Sequence, residues 1–187
     1  MIDTVKIISL IIGSVVGLIA AFKAVTEMKY NLKQRKIEYK WKKTAQAKNF
    51  LDEIKSDYRS SSELKMIDWS NRYYKISDDF DEDIITNITY DDVILALRTS
   101  NLKFTQKESF IRDCFDSLFE KFEIIEHFLI QNFIDFEDIS PPLQYYINKI
   151  KKDNSYIEFI KKYNYTLAEN FISRFTQKKD NKTSDDE

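Results

Sequence analysis

One histidine and one cysteine are all that 187 residues offer for proton transfer near neutral pH and for thiolate attack. His127 stands in IIEHFLIQNF, where its apolar neighbours predict a partly buried helix position. A proton shuttle needs an orienting partner, and Glu123 and Glu126 are near it only along the chain. Cys114 falls on the apolar side of the same stretch and reads as a small packing residue. A lone Cys and a lone His exclude a disulfide framework and a zinc cluster. No glycine-rich phosphate loop, nucleophile elbow or metal-ligand pair occurs, so no catalytic residue, cofactor or metal is expected, and the chain reads as a non-enzyme.

Seven acids run without an intervening base: Asp78, Asp79, Asp81, Glu82, Asp83, Asp91 and Asp92. A calcium loop counted from Asp79 requires glycine and glutamate where Ile84 and Tyr90 stand. The run therefore reads as a solvated loop and helix start, with contact to the basic segment of a second copy as the alternative.

These side chains must be positioned by helices. The chain is 43% hydrophobic, 14% aromatic and 32% charged, with two glycines and two prolines. So few turn formers argue against a sandwich, barrel or doubly wound sheet and for an all-α protein. Ile7 to Phe22 carries no charge and is bounded by Lys6 and Lys23. Residues 5–25 then match the roughly 20 residues that cross a hydrocarbon core, so a transmembrane helix is expected there. A cleaved signal peptide ending near Ala20, Ala21 or Ala24 is the rival, weakened by the barely basic MIDTVK. Between Thr26 and Asn49, Lys29, Lys33, Arg35, Lys36, Lys40, Lys42, Lys43 and Lys48 face only Glu27 and Glu38, a net of 8 − 2 = +6. The positive-inside rule places that side in the cytoplasm and the N-terminus outside, with the first seven of those bases reading as topology and lipid contacts. Unpaired Cys114 fits a reducing compartment. Ser9, Gly13, Gly17 and Ala21 put a small residue at every fourth position, the pattern of a close helix contact within a membrane.

No Gly or Pro interrupts Ala24 to Ile139, so the first helix is expected to continue as a basic rod over 26–57. A helical domain over 58–177 follows, and a disordered tail over 178–187. Capping boxes at Ser60 with Glu63, Thr89 with Asp92 and Thr105 with Glu108 predict helices over 61–76, 90–99 and 106–133, the last carrying the core stripe. Ser140 before Pro141 predicts a helix over 141–152, and Asn154 with Ser155 one over 156–176.

This layout, with IRDCFDSLFEKFEIIEHFLIQNFIDFEDISPPLQYYINKI from Ile111 to Ile150, resembles the small single-pass membrane proteins of bacterial anti-phage defence loci. Among them it is most similar to the membrane accessory proteins of type VI-B CRISPR systems. The resemblance implies a HEPN-like helical bundle, residence in the bacterial inner membrane, homo-oligomerisation, and permeabilisation or depolarisation of that membrane on activation. The partners it implies are a second copy of the chain, membrane lipids, and an RNA-guided nuclease or its products. HEPN ribonucleases hold an Arg with a His a few residues later. Here Arg112 precedes His127 by fifteen, which leaves at most a remnant of that pair. The alternatives are a tethered helical binding module that recruits a cytoplasmic partner, and a divergent HEPN ribonuclease.

Overall fold

The computed structural model describes residues 2–76, 84–100 and 103–180, and within them the side chains of residues 17–176. Among these residues the elements run α1 Ile2–Ser56, α2 Tyr58–Asp68, β1 Asn71–Lys75, β2 Ile85–Thr89, α3 Tyr90–Ala96, α4 Gln106–Ile130, α5 Phe136–Lys152, α6 Asn154–Lys162 and α7 Thr166–Asp180. The protein is mostly helical, as its shortage of turn formers requires, and one short antiparallel hairpin departs from the all-α expectation. The chain divides into two compact units, one reaching Lys43 and the other starting at Thr44.

In the first unit α1 forms without a break, yet the expectation of a transmembrane helix over 5–25 is corrected. Among the described residues no helix is long and apolar enough to cross a membrane. From Gly17, where the described side chains begin, α1 carries Lys23, Glu27, Lys29 and Lys33, so no apolar stretch of spanning length remains among them. Each such residue costs about 2.5 to 3.5 kcal/mol at the centre of a bilayer. Lys23 and Glu27 approach each other to 3.9 Å, both exposed. The single-pass location in the bacterial inner membrane, with the N-terminus outside, falls with the span. Ser9 and Gly13 of the small-residue stripe lie outside the described side chains. Of the basic residues read as lipid contacts, Lys29, Lys33, Arg35, Lys36, Lys40 and Lys42 are exposed. Lys43 is buried, its ammonium 5.1 Å from the Tyr39 ring.

The second unit is built around α4, which packs against α2, α3 and α7. Ile111, Cys114, Phe115, Leu118, Phe119, Phe122 and Ile125 recur at helical spacing, and all seven are fully buried. Phe119 meets Phe159 of α6 at 6.1 Å between ring centroids, and Phe122 meets Phe171 of α7 at 5.1 Å. The last turns of α1 belong here too: Ala47 and Ile54 are buried, and Phe50 stands edge-on to Phe128 at 4.9 Å.

Local chemistry sets the ends of the elements. Thr89 and Asp92 form their reciprocal cap, as do Thr105 and Glu108. The box expected at Ser60 and Glu63 does not form. Asp57 is the cap instead, its carboxylate accepting from the Ser60 N–H at 2.8 Å, so α2 starts at Tyr58. The helix expected through 76 stops at Asp68 because NRYYK and ITNIT, rich in aromatic and β-branched residues, pair as strands with Tyr73 opposite Asn87. The two-residue period puts Tyr74 and Ile88 inside and leaves Tyr73 and Ile85 exposed. Five of the clustered acids, Asp78 to Asp83, lie outside the described residues, while Asp91 and Asp92 form the first turn of α3.

Downstream, α5 begins at Phe136, so Pro141 and Pro142 stand inside it rather than opening it. Asp138, in its first turn, accepts a hydrogen bond from the Thr44 hydroxyl at 2.9 Å. The long last helix is split into α6 and α7 by Asn164, and α7 continues to Asp180, past the expected start of the tail. Asn164 and Asn132 both adopt φ of 58°. Each is followed by an N–H that reaches back five residues, Tyr165 to the Ile160 carbonyl at 3.0 Å and Phe133 to the Phe128 carbonyl at 2.9 Å. These are Schellman endings in which Asn takes the left-handed position usually held by Gly. Replacing either Asn by Val is expected to cost about 1 to 2 kcal/mol in urea unfolding, and by Gly less than about 0.5 kcal/mol.

Candidate functional site

Arg112 and His127 lie on the same helix, and fifteen residues at ~1.5 Å each separate them by roughly 22 Å. The structure does not bring them together, and each has its own surroundings. His127 is exposed in the last turn of α4, 6.2 Å from the Phe128 ring. Arg112 is buried, and one guanidinium nitrogen donates to the Ala96 carbonyl at 2.7 Å and the Arg98 carbonyl at 3.4 Å. Another donates to the Tyr163 hydroxyl. The plane of the group lies between Phe104 at 4.1 Å, Phe159 at 4.9 Å and Tyr163 at 5.0 Å. Arg112 thus caps the carbonyl end of α3 and ties it to α4 and α6.

Cys114 is fully buried, and loss of solvation pushes its thiol far above the ordinary range, so it supplies no thiolate. Beside it is a residue that sequence reading assigned to a cap. Glu63 is fully buried, and neither carboxyl oxygen has a hydrogen-bond partner within the chain. Burial raises its pKa well above the usual carboxylate range, and the charge of Asp116 adds to the effect. The spacing Ser60, Glu63, Ile67 was the available signal, since it puts Glu63 on the buried stripe of α2. A neutral carboxyl sealed from solvent cannot exchange protons with a substrate. Among the described residues no cluster of His, Cys, Asp or Glu could hold a metal ion.

Among the described residues, two surfaces offer more than scattered side chains. On α1, Leu18, Phe22, Val25, Met28, Leu32, Tyr39 and Trp41 are all at least half exposed. Leu18, Val25, Leu32 and Tyr39 are seven apart, with Ala21 and Met28 between them, the heptad spacing of a helix that packs on another helix. Arg35 and Lys42 occupy the intermediate places further on, so the dry part of the seam runs from Leu18 to Leu32. Ala21 of the small-residue stripe lies in the seam and Gly17 adjoins it, and a methyl group placed on Gly17 would meet nothing within 4 Å.

The other surface is a cleft of about 520 Å³ in the second unit, where α2 and α5 end and α3 and α6 begin. Its chemistry is set by Asp68, which accepts from the Tyr145 hydroxyl and from Lys149 at 3.4 Å. The Tyr145 hydrogen bond, aided by Lys149, holds the Asp68 carboxyl below its usual range. Lys149 also donates to the Ile67 and Asp68 carbonyls at 3.2 and 3.1 Å, closing the last turn of α2. No spacing in the sequence announced this cleft, because its residues come from four separate elements. No family model, curated protein or solved structure matches the chain.

Proposed function

We propose that this chain is a non-catalytic helical interaction module that works as a homo-oligomer, α1 of one copy packing along α1 of another. The exposed heptad row from Leu18 to Leu32 carries this reading. A repeat of seven residues keeps its seam facing a partner only when that partner is itself a helix of the same pitch, and a second copy supplies one. Lone apolar side chains on a surface need no explanation, but a row continued over three turns and more does. The groups elsewhere that might have carried chemistry are spent: Arg112 on packing, Cys114 and Glu63 by burial.

The basic side chains beside the seam limit its strength, since like charges on neighbouring copies repel at low salt. Association should therefore tighten as salt rises. The defence setting that the resemblance implies makes an RNA-guided nuclease the first class of partner to test against the assembled module. Sedimentation of the full chain tests the oligomer itself. Wild type is expected to run as a dimer or larger at micromolar concentration, and Val25→Glu with Leu32→Glu as a 22.3 kDa monomer. A wild type that stays monomeric at all salt concentrations would reject the proposal.

A further inference from the structure

We propose that one face of α1 binds single-stranded nucleic acid without regard to sequence, through Lys29, Lys33, Lys36 and Lys40 and the rings of Tyr30 and Trp41. The spacing makes the face. At 3.6 residues per turn, steps of four, three and four place the lysines within about 60° of one another around the helix, in a row about 16 Å long. All four are exposed, and none has an ion-pair partner among the described residues. Glu27 and Glu38, the acids between Thr26 and Lys43, fall about 160° to 180° round the helix from Lys29, where they do little to offset the row. Four ammonium groups set about a turn apart suit a linear polyanion, whereas a small anion would reach only one or two of them.

The rings choose among polyanions. Tyr30 and Trp41 lie about 100° round the helix from the row, on the side away from the heptad seam, at 62% and 71% exposure. Neither ring meets another ring or a cation among the described residues, so their faces are open to a ligand. A cationic track with aromatic rings beside it holds the phosphates of a single strand while the rings stack its bases, whatever their sequence. A duplex keeps its base faces within its own stack. An anionic bilayer would engage the apolar row through Val25 and Leu32, and Trp41 stands on the opposite side of the helix, pointing away from the lipid. An acidic polypeptide would answer the lysines and leave the rings unused. The cationic row stands beside the seam rather than in it, so this inference goes beyond the oligomer and does not rest on it.

The test is a fluorescence-anisotropy titration of the full chain with a labelled oligothymidylate of about 20 nucleotides, repeated over a range of salt. Four neutralised phosphates predict a slope of log affinity against log salt of about −2.8 for each row engaged, at roughly −0.7 per phosphate. Lys33→Gln with Lys36→Gln should halve the slope, whether one copy or two engage the strand. Lys48→Gln with Lys55→Gln removes the same charge from exposed positions in the second unit and should leave the slope within about 0.3 of wild type. Trp41→Ala should weaken binding by about tenfold with the slope unchanged, because stacking releases no counterions. Gln and Ala are both good helix formers, so α1 is retained in every variant. A duplex of the same length and vesicles of phosphatidylserine with phosphatidylcholine should both bind more weakly than the single strand at about 0.15 M salt. The proposal is overturned if the oligothymidylate does not bind, if Lys33→Gln with Lys36→Gln keeps the wild-type slope, if Trp41→Ala binds as wild type does, or if the duplex or the vesicles bind as tightly as the single strand.

Discussion

Replacing Arg112 by leucine should destabilise the second unit by about 3 to 5 kcal/mol, a large share of the roughly 5 to 15 kcal/mol that holds a domain folded. The guanidinium donates to the Ala96 and Arg98 carbonyls and to Tyr163, and it fills a space between three aromatic rings. Leucine fills part of that volume but leaves buried carbonyls without donors, each costing about 1 to 3 kcal/mol. Arg112→Lys keeps the charge and loses the planar fork, so it should fall between the two, at about 1 to 2 kcal/mol. Urea unfolding reads both values. His127→Ala, at an exposed position without such contacts, should stay within about 0.5 kcal/mol of wild type. A catalytic pair would behave differently: both residues would matter to activity and neither much to stability. Equal, small effects on unfolding from Arg112→Leu and His127→Ala would therefore remove the structural role assigned to Arg112.

How far the fold could be read in advance depended on the kind of signal. The stripe from Ile111 to Ile125 is long and regular, so α4 and its core role were legible. The Thr89 and Thr105 caps were legible because both partners sit within one turn, where no distant residue competes. Ser60 had a competitor, Asp57, and the stronger acceptor took the Ser60 N–H. The hairpin was hidden because NRYYK and ITNIT are five residues each, too short to show a period, and their strand preference is realised only by pairing. Asn164 broke a stretch whose apolar spacing is continuous, since the left-handed turn depends on one residue's tolerance of positive φ. The apolar beginning of α1 has the composition of a membrane span, and the heptads that start at Leu18 lie partly inside it, so the stronger signal masks the weaker. The cleft around Trp69 was invisible for a different reason: its walls are joined by tertiary structure alone.

Glu63→Gln should leave stability nearly unchanged near pH 4.5 and raise it progressively as the pH moves toward neutral. The sign follows from proton uptake. Below the ordinary value of 4.5, Glu63 is protonated in both folded and unfolded chains, and its burial carries no ionisation penalty. Above that value the unfolded chain releases the proton while the folded chain retains it, so stability falls by about 1.4 kcal/mol per pH unit. The fall continues until the folded carboxyl itself ionises. Carboxylates such as Asp68 and Glu108 carry the opposite sign. The Tyr145 hydroxyl at one and the Thr105 N–H at the other hold them low, so they add stability that is lost on acidification. Their slopes are shared by wild type and variant and cancel in the difference. The groups that face Glu63 are Cys114 and Asp116 on α4 and Tyr156 on α6. Asp116 is also raised by burial but accepts from Tyr165 at 2.8 Å, so it has a partner that Glu63 lacks. Glu63→Met should stabilise more than Glu63→Gln at neutral pH, because the amide still buries polar atoms and the thioether does not. Thermal unfolding of the three proteins from pH 4.5 to 8 measures all of this. If the differences between them do not change with pH, the Glu63 carboxyl in solution has a partner, and the neutral buried acid inferred from its geometry does not exist.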